Sequence, residues 1–159
     1  MKLMKILKEV KGLNGDDMKV VFVCTGNTCR SPMAEAIFKD LVKDVEVVSA
    51  GIYASYGQMA TPNAIKVCEK YGLDLKNHFS QNIGRVNLAY DDLILTATDL
   101  HKNELLNAYP NLEIHTIRGY AGCEPEDIAD PIGGDLFDYE KCFLEIRDAL
   151  EKIVEIHDF

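Results

Sequence analysis

The stretch of sequence that decides the fold is residues 19–32, KVVFVCTGNTCRSP. Its first five residues are mostly β-branched and apolar, which is typical of a short buried strand in a parallel sheet. Ser31 and Pro32 are typical of a helix start, since serine caps helix N-termini and proline suits the first helical position. A strand that passes through the short loop CTGNTCR directly into a helix predicts an α/β domain, with a ligand site at the carboxyl end of that strand.

Strand and helix signals alternate along the rest of the chain, and four strands are predicted, at residues 19–23, 45–49, 92–96 and 112–117. Predicted helices begin at Ser31, at the Thr61-Pro62 pair and at Asp99, and the last helix covers residues 137–156. The alternation predicts a three-layer α/β fold, in which a four-stranded parallel sheet is flanked by helices. Lysines and apolar residues interleave at helical spacing in residues 1–17, which are predicted to be a separate N-terminal extension with a short helix. Residues 18–159 are predicted to be a single domain.

The chain is acidic, since 17 Lys and Arg residues against 26 Asp and Glu residues give a net charge of −9 and a pI near 4.9. Such a protein repels polyanions, so neither a nucleic acid nor an anionic membrane surface is expected as a partner. A small anionic ligand therefore requires a local site whose positive potential exceeds this overall repulsion.

Five cysteines are spread through the chain without the paired spacing of a zinc site or of a small disulfide scaffold. An odd number of thiols in a chain of this size is typical of a reducing compartment, and we expect the protein to be cytoplasmic. No apolar run approaches the length of a membrane span, about 18–20 residues. Cys68 and Cys142 lie on apolar helix stripes and are predicted to be core residues, whereas Cys123 is predicted to be a loop thiol.

The loop between the first strand and the first helix has the features of an anion site. Backbone N–H groups at a helix N-terminus lack intrahelical partners, and together with the helix dipole they attract anions. Gly26 and Asn27 tolerate the left-handed angles that turn successive N–H groups inward, and the Arg30 guanidinium can bind two phosphate oxygens at once. Cys24 lies at the floor of this loop, where the same donors, Arg30 and the Ser31 hydroxyl stabilise a thiolate. Besides Cys24 and Arg30, the predicted phosphate-binding loop comprises Thr25, Gly26, Asn27, Thr28, Cys29 and Ser31.

This loop, read as Cys-x5-Arg-Ser after the first strand, resembles that of the low-molecular-weight protein-tyrosine phosphatases. Asp130-Pro131, just before the last predicted helix, matches the general-acid motif of that family. The resemblance covers the chain from Met18 to the last helix, and it implies the fold of that family and a cysteine-dependent protein phosphatase. It also implies that no metal ion or other cofactor is needed, that the substrate is a phosphorylated protein, and that inorganic phosphate is a product.

The resemblance implies a role for each matching residue of the reaction. The Cys24 thiolate attacks phosphorus to form a phosphocysteine intermediate, while Asp130 protonates the leaving atom and later activates water. Arg30 and the N–H groups of the loop stabilise the phosphoryl oxygens in the transition state. Catalysis is therefore predicted to depend on Cys24, Arg30 and Asp130.

Three further residues are predicted to support the loop or its chemistry. Ser49 and His78 match family residues that hydrogen-bond Asn27 and stabilise its strained backbone. Cys29, five residues after Cys24 in the same loop, is a candidate for a reversible disulfide that protects the nucleophile from over-oxidation, and the resemblance supports this idea.

Two departures from the commonest family pattern bear on the phosphorylated side chain. Thr28 replaces a bulky aliphatic residue, and Ile132-Gly133-Gly134 replaces tyrosines that wall a slot for a phenyl ring. Both features resemble the bacterial protein-arginine phosphatases of the family, whose loop also reads CTGNTCRSP, although Ile132 stands where that branch has an aromatic residue. Because a threonine hydroxyl can hydrogen-bond a guanidinium, we favour phosphoarginine as the substrate, with phosphotyrosine as the alternative.

Two other functions are compatible with a loop of this kind. Arsenate reductases of the same fold pass electrons through two further cysteines, and the corresponding stretch, residues 93–103, contains none. A module that only binds phosphopeptides would not require both Cys24 and Asp130. A phosphatase is therefore favoured over both, with arsenate reductase as the distant alternative.

Overall fold

Four parallel strands form the sheet of the computed structural model, which describes residues 18–159. The predicted extension, residues 1–17, lies outside the described residues. The strands are β1 (Lys19–Cys24), β2 (Glu46–Gly51), β3 (Leu93–Thr96) and β4 (Glu113–Thr116). The helices are α1 (Arg30–Leu41), α2 (Pro62–Lys70), α3 (Asp99–Ala108), α4 (Ile117–Tyr120) and α5 (Leu136–Ile156), and a 3₁₀ turn covers Ile83–Arg85. The predicted α/β class with a four-stranded parallel sheet is confirmed.

The order of the strands in the sheet is β2-β1-β3-β4, so the chain runs outward from the centre in both directions. Helices α1, α2 and α5 pack on one face of the sheet, around Phe22, Phe38 and Phe143, and α3 packs on the other face, around Ile94 and Leu105. The connection from β1 leads to β2 on one side, and the connection from β3 leads to β4 on the other side. Because both crossovers are right-handed, their helices lie on opposite faces of the sheet, which gives three layers. The switch point between β1 and β3 is where sheets of this kind bind ligands.

The β1 strand is buried on both of its faces because it lies in the middle of the sheet. Val20 and Phe22 belong to the larger core, and Val21 and Val23 belong to the smaller one. A continuous apolar run therefore replaces the alternation of a half-exposed strand. The strand ends at Cys24, and so it carries that side chain to the carboxyl edge of the sheet, at the switch point.

The capping residues of two helices differ from the sequence expectation. Helix α1 begins at Arg30, so Ser31 lies inside the helix, and its hydroxyl contacts the loop instead of capping the helix. The cap of α3 is Thr98 and not Asp99, since the Thr98 hydroxyl accepts a hydrogen bond from the N–H of His101. The capping rule finds these two helix starts to within two residues, and a neighbour of similar chemistry or a tertiary contact decides the exact position.

The last helix, α5, is 21 residues long. It begins with a capping box, in which the side chains of Asp135 and Asp138 each accept a hydrogen bond from the other's backbone N–H. This box fixes one end of the short loop that carries Asp130. Among the helices of residues 18–159, none combines the length and the hydrophobicity that crossing a membrane requires.

Candidate active site

The loop after β1 borders a cavity of about 120 Å³ at the carboxyl end of the sheet. The wall of this cavity is formed by Cys24, Thr25, Gly26, Thr28, Cys29, Arg30, Asp130 and Ile132. The first N–H groups of α1 lie at the same loop without intrahelical partners, so the cavity favours an anion. It is much smaller than a pocket for a drug-sized molecule, and its size suits a single small anionic group.

Cys24 lies at the floor of the cavity and is only 3% exposed. The hydroxyl oxygen of Ser31 is 2.9 Å from its Sγ, and a longer contact of 3.4 Å joins the same hydroxyl to the Ala50 carbonyl. The side-chain amide of Asn27 donates to this hydroxyl oxygen at 2.8 Å, so the Ser31 hydrogen points to an acceptor, and sulfur is a nearer acceptor than the Ala50 carbonyl. The arrangement supports a thiolate, the nucleophilic form of cysteine.

The Arg30 side chain is buried and is oriented by three groups. Its Nη1 donates to the carbonyl of Ile128 at 2.9 Å, and its Nη2 lies 3.5 Å from Oδ2 of Asp130 and 3.4 Å from Oγ1 of Thr25. The Asp130 side chain is 42% exposed, and the N–H of Ile132 donates to its other carboxylate oxygen at 3.1 Å. The guanidinium and the carboxylate therefore face one cavity, the first buried and the second partly open to solvent.

Asn27 has a left-handed backbone, with a φ of 56°, and surrounding residues satisfy its polar groups. Its amide nitrogen donates to the Ser49 hydroxyl at 2.9 Å, and its carbonyl oxygen is 2.7 Å from Nε2 of His78. The backbone N–H of Gln81 donates to the amide oxygen of Asn27 at 3.0 Å. Sequence reasoning missed Gln81, because a backbone donor in a distant loop leaves no signal in residue type. These contacts stabilise a conformation that is costly for a residue other than glycine.

Gly51, the last residue of β2, lies directly against the loop. A Cβ atom at this position would come 2.5 Å from the carbonyl oxygen of Thr25 and 3.0 Å from the backbone nitrogen of Asn27. Any larger residue would therefore displace the loop, and glycine is required by this close approach. The end of β2 thus supports the loop that follows β1.

Residues 19–157 match the profile of the low molecular weight phosphotyrosine protein phosphatases. The chain belongs to this family. It is accordingly a protein phosphatase of low molecular weight, and reaction through a phosphocysteine is typical of the family.

The chain is similar to two curated proteins and to one solved structure of this family. The low molecular weight protein-tyrosine-phosphatase PtpB of Staphylococcus haemolyticus is 38% identical over 140 residues, which are 86% of this chain and 97% of the relative. The protein-arginine-phosphatase of Bacillus subtilis is 36% identical over 143 residues, which are 86% of this chain and 92% of the relative. The solved structure of the YwlE arginine phosphatase from Geobacillus stearothermophilus has a TM-score of 0.81 and 31% identity, and the match covers 87% of this chain and 92% of that chain.

The second cysteine of the phosphatase loop, Cys29, is buried, and its Sγ lies 3.4 Å from the hydroxyls of both Thr61 and Tyr139. Burial, and then the hydrogen bond with Cys29, raise the pKa of Tyr139 to about 12, so the phenol stays protonated and can donate to sulfur. Cys29 is thereby joined to the start of α2 and to α5. All five cysteines are free thiols, and the disulfide between Cys24 and Cys29 stays a prediction.

The remaining cysteines of the phosphatase lie outside the phosphate-binding loop, although Sγ of Cys142 is 3.9 Å from the carbonyl of Ala129, next to Asp130. Cys68 and Cys142 are buried core residues, and burial raises the pKa of each thiol to about 12, which makes both unreactive. Cys123 is half-buried after α4, where Nζ of Lys152 is 3.5 Å from its Sγ. Across residues 18–159, no group of three His, Cys, Asp or Glu side chains is arranged to bind a metal ion.

Replacing Asn27 with alanine is expected to lower the free energy of unfolding by about 1–3 kcal/mol. The hydroxyls of Ser31 and Ser49 and the N–H of Gln81 would lose their hydrogen bonds to the Asn27 side chain, and alanine would still have to adopt the unfavourable left-handed backbone. Asn27→Gly is the matched variant, since it loses the same side-chain contacts but adopts a φ of 56° without a steric penalty. It is expected to be more stable than Asn27→Ala. Urea unfolding followed by circular dichroism measures all three proteins, and an alanine variant as stable as the parent would contradict this supporting role.

Proposed function

We propose that this phosphatase hydrolyses phosphoarginine in proteins in preference to phosphotyrosine. The observation that carries the proposal is Thr28, which lines the cavity together with Cys24 and whose Oγ1 lies 3.8 Å from Sγ of Cys29. Its hydroxyl offers a hydrogen bond to a polar guanidinium, where an aliphatic residue would offer only apolar contact. On the opposite loop, Ile132 is 63% exposed, and two glycines follow it, so this stretch contributes no aromatic ring to stack on a phenyl group.

The position of Asp130 supports the same preference. Because its side chain is 42% exposed while it lies 3.5 Å from Arg30, the carboxyl group can also reach guanidine nitrogens of a substrate at the mouth of the cavity. Two of the relatives are named arginine phosphatases, which supports phosphoarginine as well. Phosphotyrosine is the alternative substrate, because another relative is named a protein-tyrosine phosphatase.

In the first step of the proposed reaction, the Cys24 thiolate attacks phosphorus in line with the leaving group. A sulfur–phosphorus bond forms as the phosphorus–nitrogen bond breaks, and protonated Asp130 gives its proton to the departing nitrogen. Arg30 and the loop N–H groups stabilise the charge on the three remaining phosphoryl oxygens. The products of this step are a phosphocysteine and an unmodified arginine side chain.

In the second step, water attacks the phosphorus of the phosphocysteine, and the Asp130 carboxylate accepts a proton from that water. The sulfur–phosphorus bond breaks, and Cys24 leaves as a thiolate that the Ser31 hydroxyl, 2.9 Å from Sγ, stabilises again. Inorganic phosphate is released. Asp130 is then protonated for the next turnover, so the complete cycle consumes only water and the phosphorylated substrate.

Thr28→Ile is expected to lower the ratio of kcat/KM for a phosphoarginine peptide to kcat/KM for the matching phosphotyrosine peptide by about tenfold. The physical reason is the loss of one hydrogen bond to the substrate guanidinium, together with a gain of apolar contact for a phenyl ring. The parent protein and the variant are compared on both peptides by the release of inorganic phosphate.

Thr28→Ser serves as the matched control for this substitution, because it retains the hydroxyl and is expected to retain the ratio. A parent enzyme that prefers the phosphotyrosine peptide would assign the site to phosphotyrosine. An unchanged ratio in Thr28→Ile would remove Thr28 as the residue that determines specificity.

We also propose the setting in which the enzyme acts, which is the cytoplasm, with phosphorylated proteins as partners and with neither nucleic acid nor membrane. Five free thiols support a reducing compartment, and the net charge of −9 supports the exclusion of polyanions. Residues 18–159 are proposed to be one phosphatase domain. Cys29 is proposed to form the reversible disulfide with Cys24 under oxidising conditions.

A further inference from the structure

His101 is a buried imidazole that the proposed reaction does not use. It lies in the first turn of α3, after β3, and across the switch point from the loop that follows β1. The residue is 5% exposed, and its Nε2 is 2.8 Å from Oγ1 of Thr25. Its other ring nitrogen, Nδ1, is buried without a hydrogen-bond partner among residues 18–159. The imidazole is thus directed at Thr25, a residue of the phosphate-binding loop.

Thr25 connects this imidazole to the guanidinium of the site. Its Oγ1 lies 3.4 Å from Nη2 of Arg30, and the same Nη2 lies 3.5 Å from the carboxylate of Asp130. Thr25 is exposed at the mouth of the cavity, so close packing does not fix the orientation of its hydroxyl. Its two polar neighbours, His101 and Arg30, therefore decide where the hydroxyl points.

The start of α3, which carries His101, is joined to the segment that carries the general acid. The N–H of Asp99 donates to the carboxylate of Asp127 at 2.7 Å, and the N–H of Ile128 donates to the carbonyl of Ala97 at 2.9 Å. The carbonyl of Ile128 in turn accepts the hydrogen bond from the site guanidinium. His101 is therefore fixed relative to the reacting groups and not only relative to its own helix.

The chemistry of the two ring nitrogens decides the direction of the hydrogen bond to Thr25. Burial, and then the nearby charge of Arg30, lower the pKa of His101, so the imidazole is neutral at pH 7 and carries one N–H. Unpaired buried N–H groups are rarer in proteins than unpaired buried acceptors. The proton is therefore placed on Nε2, which donates to Thr25, and Nδ1 is the unpaired acceptor.

We propose that His101 is a positioning residue of the phosphatase reaction, which acts by donating from Nε2 to the hydroxyl oxygen of Thr25. Together with Arg30 it occupies both lone pairs of that oxygen, so the Thr25 hydrogen points into the cavity and donates to a phosphoryl oxygen. Because Nη2 of Arg30 also donates to Oγ1 of Thr25, this oxygen helps to orient the guanidinium toward the phosphoryl group in the transition state. The inference rests on the phosphatase activity and not on the choice between phosphoarginine and phosphotyrosine.

A double-mutant cycle with p-nitrophenyl phosphate as the substrate tests this proposal. His101→Ala removes the donor, and Thr25→Val removes the hydroxyl while keeping the shape of the side chain. Each variant is expected to lower kcat by about tenfold with a smaller change in KM, because the contacts act mainly on the transition state. The double variant is expected to match the slower single variant, since both changes act through one hydroxyl. A double variant whose loss of kcat is the product of the two single losses would overturn the proposal.

Two further variants separate positioning from a role in packing alone. His101→Gln carries an amide N–H at a similar distance from the backbone and is expected to recover most of the kcat that His101→Ala loses. Leu105→Ala truncates a buried side chain of the same helix in the smaller core, and it is expected to lower the Tm while kcat stays at the parent value. A His101→Ala variant that behaves like Leu105→Ala would show that His101 only fills space.

The proton position is measured directly by ¹⁵N NMR of the imidazole at neutral pH. The expected result is a neutral ring with the proton on Nε2. A proton on Nδ1 would reverse the hydrogen bond, so that Thr25 donates to His101 and has no hydrogen for the phosphoryl group, and the proposal would be wrong.

Discussion

Replacing Cys24 with serine is expected to abolish turnover, with kcat lowered by at least about a thousandfold. The surroundings of Sγ suit a charged sulfur, because the Ser31 hydroxyl lies 2.9 Å away and the cavity also contains Arg30. They do not activate a serine, since a hydroxyl retains its proton far more tightly than a thiol and Ser31 is a hydrogen-bond donor here, not a base. The release of inorganic phosphate from phosphoarginine and phosphotyrosine peptides measures the loss.

Cys123→Ser is the matched control, since Cys123 is half-buried near Lys152 and far along the chain from the loop. It is expected to keep the parent kcat. Cys24→Ser is expected to retain the circular dichroism of the parent and to bind inorganic phosphate, because Arg30 and the loop N–H groups are unchanged. Turnover by Cys24→Ser at the parent rate would mean that another residue is the nucleophile.

Asp130→Asn is expected to lower kcat/KM by about 10²–10⁴-fold on phosphoarginine and phosphotyrosine peptides, and by less on p-nitrophenyl phosphate. Asparagine keeps the shape of the side chain and can still accept the hydrogen bond from the N–H of Ile132, but it has no proton to give to a departing atom. A p-nitrophenolate group can leave without a proton because it is a weak base, whereas the arginine nitrogen and the tyrosine oxygen must be protonated as they leave. The measurement is the kcat/KM of the variant relative to that of the parent on each of the three substrates.

Asp148→Asn provides the control for this substitution, because it removes one exposed carboxylate from α5 and changes the net charge equally. All three substrates are expected to react at parent rates with this variant. If Asp130→Asn lowered kcat/KM for the three substrates by the same factor, Asp130 would not protonate the leaving atom, because kcat/KM reports the first step and not the hydrolysis of the phosphocysteine that all three substrates share.

Much of the fold could be predicted because its determinants are local in sequence. The continuous apolar run that ends at Cys24 is typical of a strand buried on both faces. The apolar residues at positions 139, 143, 146, 150 and 153 have the spacing of one face of a helix, which predicts α5. The sheet order β2-β1-β3-β4 was not predicted, because strand neighbours depend on contacts between distant segments. The caps of α1 and α3 also depend on such contacts, which is why Ser31 does not cap α1 and Thr98 replaces Asp99 as the cap of α3.

The site also contains residues that could be predicted from local sequence and residues that could not. Cys24 and Arg30 share one loop, so their chemistry could be argued from residue types and spacing, whereas Asp130 was assigned through a family resemblance. The distance of 3.5 Å between Arg30 and Asp130 joins residues that no local pattern connects. His101 and Gln81 were missed for this reason, since one is an ordinary residue of a helix and the other contributes a backbone N–H.

The hydrogen bond from Arg30 to the carbonyl of Ile128 joins residues that are 98 positions apart. A ribosome that has released only the first two thirds of the chain has already produced the nucleophile and the whole phosphate-binding loop. It has not produced the acceptor that orients the guanidinium, nor the acid two residues beyond it. Partly synthesised chains are therefore expected to lack phosphatase activity, and activity is expected to appear during synthesis only once the C-terminal segment has reached the sheet.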